Sequence, residues 1–189
     1  MEVIKMELLC IDFINSQWYK THKVFKELLK DEKWFKNFCL KWNLSITYMP
    51  NKEMIDTLLG LREFLSYVTN NLCTKKTIDL KDINKINEYL KAFSFYKMIE
   101  KEKDSFSLKT IPVKSDLSFI LFEIISSFAE LITKYDIQRI KLCENPECGW
   151  IFYDESRNRT RKWCDNTCAT LIKVRRFREN QKHIQRKSK

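Results

Sequence analysis

Two pairs of cysteines near the end of the chain, Cys143-x4-Cys148 and Cys164-x3-Cys168, constrain its folding more than any other feature. Fifteen residues separate the pairs. Four thiolates at such short spacings, on two separate elements, close a tetrahedral shell around one Zn2+ ion. With all four positions filled by protein, no site stays open for water. The metal is then structural, and its binding energy folds a segment too small for a core of its own. The chain has seven cysteines, an odd number that argues against a disulfide framework. Cys10, Cys39 and Cys73 are expected to be buried thiols.

The residues around the pairs predict how the module is built. Gly149–Asp154 reads as a strand and Arg161–Cys164 as its partner, with the polar turn 155–160 between them. From Ala169 to Arg178 neither glycine nor proline interrupts a helix. Knuckle, hairpin and helix in that order predict a treble-clef-like zinc module, with the second pair where the positive end of the helix dipole favours thiolate. Leu171, Val174 and Phe177 form an apolar stripe expected to pack on the hairpin or on the preceding domain.

Charge is segregated along the chain. Residues 1–138 hold 21 lysines and arginines against 19 acidic residues, whereas residues 139–189 hold 14 against 6. Arginine is more uneven still: Arg62 alone precedes residue 139, and eight follow. Guanidinium suits phosphate and guanine geometrically, so arginines gathered beside a metal motif predict a nucleic-acid partner. The expected contacts are Arg157, Arg159 and Arg161 at the hairpin tip, Lys162, and Lys173, Arg175, Arg176, Arg178, Lys182 and Arg186 on the helix.

Residues 1–138 read as a mainly helical domain. Two glycines and three prolines in 189 residues are too few for a turn-rich sandwich or barrel. Apolar residues at helical spacing predict helices over Thr21–Trp42 (one, or two if Asp31 interrupts) and over Lys52–Cys73. A shorter helix is expected from Asp79 as its cap, with Leu80, Ile83, Ile86 and Leu90 on its apolar face. Phe93–Glu100 and Phe106–Val113 predict a β-hairpin whose aromatic residues pack in the core, followed by a core helix over Ser115–Tyr135. The fold class is thus mainly α (α+β), with domains at 1–138 and 139–189. Asp12 and Arg62 are polar residues in apolar surroundings, expected to form a buried pair or, with Asn15, part of a small-effector pocket. No stretch is long and apolar enough to span a membrane, and no signal-like segment is evident, so a cytoplasmic location is expected.

At these residues the chain resembles a known family. The run Cys143–Arg159, then Arg161-Lys-Trp-Cys164 and Lys173–Arg178, is similar to the CGNR zinc finger. Leu9–Asn15 and Leu61–Leu65 resemble segments of the ABATE domain that precedes this finger in the family. The resemblance implies a bacterial transcription regulator that binds DNA through the finger, with zinc on Cys143, Cys148, Cys164 and Cys168. The tetrapeptide that names the family is replaced here by Cys168-Ala169-Thr170-Leu171, which keeps the thiol and loses glycine, asparagine and arginine.

Three functions follow as expectations. The first is a DNA-binding regulator whose front domain senses a ligand or pairs with a second copy, since one small module buries little surface alone. The second is a zinc module for protein or RNA interaction, set apart from the first by its indifference to duplex DNA. The third, a nuclease, wants a histidine base and an open metal position. His22 and His183 are the only histidines and both lie outside the hairpin, so the chain is expected not to be an enzyme.

Overall fold

The computed structural model describes residues 7–17, 26–44, 49–113 and 118–187, with backbone alone for Ser118 and residues 183–187. The fold is mostly helical, with two small antiparallel ribbons. Its core forms between α1 (Leu9–Asn15), α3 (Lys52–Lys75) and α5 (Ser118–Lys134). Phe13, Ile14, Leu58, Leu61, Leu65, Ile124 and Phe128 meet there with almost no exposed surface. Each such side chain contributes about 2 kcal/mol on leaving water. Cys10 and Cys39 are buried as expected, and burial pushes their thiols up to about 12 and about 11, whereas Cys73, expected buried as well, is half-buried and its thiol donates to Ile140 C=O at 3.5 Å.

Of the predicted Thr21–Trp42 stretch, residues 21–25 lie outside the described residues. The remainder is broken in two, a 3-10 turn Leu28–Lys30 and α2 (Glu32–Lys41). Asp31 makes the break, because its Oδ1 accepts the Trp34 N–H at 2.8 Å and so caps α2. Asn51 caps α3 in the same way, through Met54 N–H at 2.9 Å.

Helix α4 (Leu80–Lys91) starts after Asp79, but no side chain caps it. Its predicted apolar face is corrected. Leu80 and Ile83 face solvent, while Ile86 is buried and Tyr89 and Leu90 pack on the core. The inward face runs through Asp82, Ile86 and Tyr89, at spacings of four and three, and leaves Leu80 and Ile83 to one side.

Strands β1 (Phe95–Glu102) and β2 (Ser105–Pro112) form the expected hairpin, closed by the two-residue turn Lys103-Asp104. Only its base packs inward, where Phe95 lies 4.0 Å from the Phe122 ring centre and Phe93 lies 5.4 Å from it. Tyr96, Ile99, Phe106 and Leu108 are exposed, which corrects the expectation that the hairpin aromatics fill the core. Among the described residues no helix is long and apolar enough to cross a membrane.

The expected pair between Asp12 and Arg62 does not form. Arg62, 1% exposed, donates to both Glu27 oxygens at 2.7 Å and to Ser16 Oγ at 3.0 Å. This two-pronged geometry matches guanidinium to carboxylate and offsets the cost of burying the charge. Asp12 sits nearer the surface and accepts from Lys41 at 2.7 Å and the Trp42 indole at 3.0 Å.

Candidate metal centre

The chain enters the cysteine region through a 3-10 turn, Ile137–Arg139, and strand β3 (Ile140–Leu142), which pairs with β4 (Ile151–Tyr153). This corrects the expected partner of the 149–154 strand. Residues 161–164 form no strand, and the ribbon instead encloses the first cysteine pair. Cys143 N–H donates to Trp150 C=O at 2.8 Å and extends the ladder to the knuckle itself. Inside the knuckle, Cys148 N–H donates to Asn145 C=O at 2.9 Å, and Gly149 adopts φ 70°. Only glycine takes that conformation without strain, and it turns the chain back into β4.

The second pair sits at the start of α6 (Asn166–Lys187), earlier than the Ala169 expected. Asp165 marks the start: its Oδ1 accepts the Cys168 N–H at 2.8 Å. Cys168 therefore lies in the first helical turn, and Cys164 just before it.

The four thiols converge. All sulfurs lie within 4.8 Å of one another, and every one of the four cysteines is buried. Cys148 and Cys164 are 3.6 Å apart, Cys164 and Cys168 3.7 Å. A tetrahedron with Zn–S bonds of about 2.3 Å has edges of about 3.8 Å, whereas a disulfide would bring sulfurs to about 2.05 Å. The spacing thus fits a metal and not a bridge. Desolvation pushes the Cys148 thiol up to about 12 and raises Cys164 as well. A divalent cation among them is what makes thiolates of such thiols at neutral pH, so one structural zinc fits this donor set.

Two polar groups that spacing alone did not single out brace the module, one at a ligand and one in the loop behind β4. Asn145, 3% exposed, donates from its side-chain amide to Cys168 Sγ at 3.3 Å and accepts Glu147 N–H at 3.2 Å. It orients a thiolate in the way that outer hydrogen bonds orient metal ligands generally. Asp154 is fully buried beyond β4. Its Oδ1 accepts Ser156 N–H at 2.9 Å and Ser156 Oγ–H at 2.6 Å, and its Oδ2 accepts Lys141 Nζ at 2.6 Å and Arg161 N–H at 3.0 Å. Burial works against its charge, but the bonds from Lys141 and Ser156 outweigh that and hold the carboxyl at about 2.

The basic residues divide into two sets. Arg161 is committed to the module: it donates to the carbonyls of Trp163 and Cys164, and its guanidinium lies 5.0 Å from the Phe152 ring centre. Arg159 pairs with Asp136 at 2.8 Å, Lys162 faces Glu144 at 3.5 Å, and Arg175 pairs with Glu147. Arg157, Lys173, Arg176, Arg178 and Lys182 are exposed and form no ion pair with any described residue. The Arg186 side chain lies outside the described residues. The three loop arginines are not at a hairpin tip, as expected, but in the loop from β4 to α6, where Arg159 takes a left-handed φ of 55°.

The module is seated on the front of the chain. Ile140 and Ile151 belong to the same buried cluster as Phe13 and Leu65, and Tyr153 stacks edge-on against Tyr135 at 5.9 Å. Asn15 completes the seat. Its amide donates to Ile151 C=O at 2.8 Å and accepts Ile151 N–H at 3.0 Å, standing in for a third strand on the free edge of β4. Asn15, expected at an effector pocket, is thus a clamp.

Comparison with known families places one landmark on this geometry. Residues 139–181 match the CGNR zinc finger, so the matched stretch begins at the last residue of the 3-10 turn before β3 and ends within α6. A search of curated proteins gave no match to the chain.

Proposed function

We propose that the zinc finger of this chain is the DNA-binding part of a transcription regulator, with zinc as scaffold and α6 as the element presented to the duplex. One observation carries the reading. Between residues 173 and 182, Lys173, Arg176, Arg178 and Lys182 project from the helix with no acidic partner among the described residues, and Glu179 is the only acid in that stretch. Unpaired cations of this kind neutralise phosphates and release their counterions, the dominant source of affinity for DNA. Arg175 can join them, because its pair with Glu147 is exposed and costs little to exchange for a phosphate. The four thiolates saturate the metal and leave no position for a substrate, so the reading is non-catalytic.

The front of the chain, similar at Leu9–Asn15 and Leu61–Leu65 to the ABATE domain, would then be the regulatory part. The Asn15 clamp is a contact through which its state reaches the finger.

Fluorescence anisotropy of the zinc-loaded protein against a random duplex, across a salt series, tests the reading. We expect steep salt dependence, and weaker binding to single-stranded RNA of equal length. The variant K173A/R178A/K182A should lower the log–log slope by about 2 to 3, since each phosphate contact contributes about 0.9. Absence of duplex binding at low salt, or an unchanged slope in the variant, contradicts it.

A further inference from the structure

Three apolar side chains of α6 stand in water: Leu171, Val174 and Phe177 are 45%, 40% and 64% exposed. Their spacing of three places them on one stripe of the helix. The sequence pattern predicts that stripe in a core, but the module packs on the neighbouring face of the helix. Cys168 is buried there, and Ala169, Ile172 and Arg175 are partly covered. At 3.6 residues per turn, Lys173 falls on one flank of the exposed stripe and Lys182 on the other, with Arg178 one turn beyond Val174 on the Lys182 side of its midline.

An apolar strip between cationic flanks is complementary to the major groove of B-DNA. That groove is about 12 Å wide, carries phosphates along both walls, and displays the 5-methyl of each thymine on its floor. A helix about 10–12 Å across fills it. A second copy of the same helix fits the stripe poorly, because it would bring like charges together along both flanks.

Resting on the DNA reading above, we infer that Leu171, Val174 and Phe177 contact pyrimidine 5-methyl groups in the major groove. The preferred ligand is therefore duplex DNA rich in A·T pairs, recognised through methyl groups. Lys173, Arg178 and Lys182 hold the phosphates on either side.

The test compares duplexes of equal length and charge that differ only in the methyl group. One pair is alternating dA-dT against dA-dU; the other is alternating dG-5-methyl-dC against dG-dC. Anisotropy should give tighter binding to the methylated member of both pairs, by about fourfold for each methyl covered, the factor that burial of one methyl carries. The salt slope should be equal within a pair. The variant L171A/V174A/F177A keeps the helix and should lose the preference while retaining the slope. Duplex binding without methyl preference in either pair overturns this inference and leaves the DNA reading standing. A preference that survives in the variant also overturns it, by moving the contact elsewhere. No duplex binding at low salt overturns both.

Discussion

Asp154 ties β3, β4 and the following loop together through one carboxylate that accepts four hydrogen bonds. Its folded value of about 2, against an ordinary 3.8, makes its charge stabilising wherever the unfolded carboxylate is also ionised. The contribution is therefore complete above about pH 4 and is lost only as pH falls toward 2. The gap corresponds to about 2 kcal/mol. Asp154→Asn should lower the stability of the zinc-loaded protein by about that amount in denaturant titrations, and the difference should stay flat between pH 8 and pH 5. A difference that shrinks over that range would mean the carboxylate is not held as described. Neither Asp154 nor Asn145 was legible as special from the sequence, because one is an acid in an acid-bearing loop and the other an asparagine before proline. Their roles depend on which atoms the fold brings within hydrogen-bond reach of them.

Long elements were legible, and of the short ones only β4, which lies inside the strand expected over Gly149–Asp154. The helices over 52–75 and 118–134 follow from apolar residues at helical spacing, since a stripe repeated over many turns has few alternative foldings. Strands β3 and β4 have three residues each, too few for alternation to show. The useful signal there was the first cysteine pair itself, since a knuckle of that length needs flanking strands that meet. The exposed stripe of α6 shows the converse: periodicity finds a face but not the side on which the rest of the molecule lies. In α3 a separate weakness is visible. Gly60 is exposed within the helix, and a Cβ built there meets nothing within 4 Å. Gly60→Ala should stabilise the protein by about 1 kcal/mol and raise its melting temperature by about 2–4 °C. A lower melting temperature would show that the position serves something other than the helix.

At the scale of the whole molecule, the finger and the helical front are joined through shared core residues and the Asn15 clamp. The net charge of +10 is carried mainly by residues 139–189. Two consequences follow from the zinc ligands: the ion organises residues 143–168 directly, and it keeps Ile140 and Ile151 in the cluster they share with Phe13 and Leu65 indirectly. The most direct test is metal content. The protein, reconstituted with zinc and freed of excess ion, is measured by inductively coupled plasma mass spectrometry beside C164S/C168S and C73S. The structure predicts one zinc per chain in the wild type and in C73S, and none in C164S/C168S. Wild-type protein well below one equivalent, or a full equivalent in C164S/C168S, would contradict the four-cysteine centre.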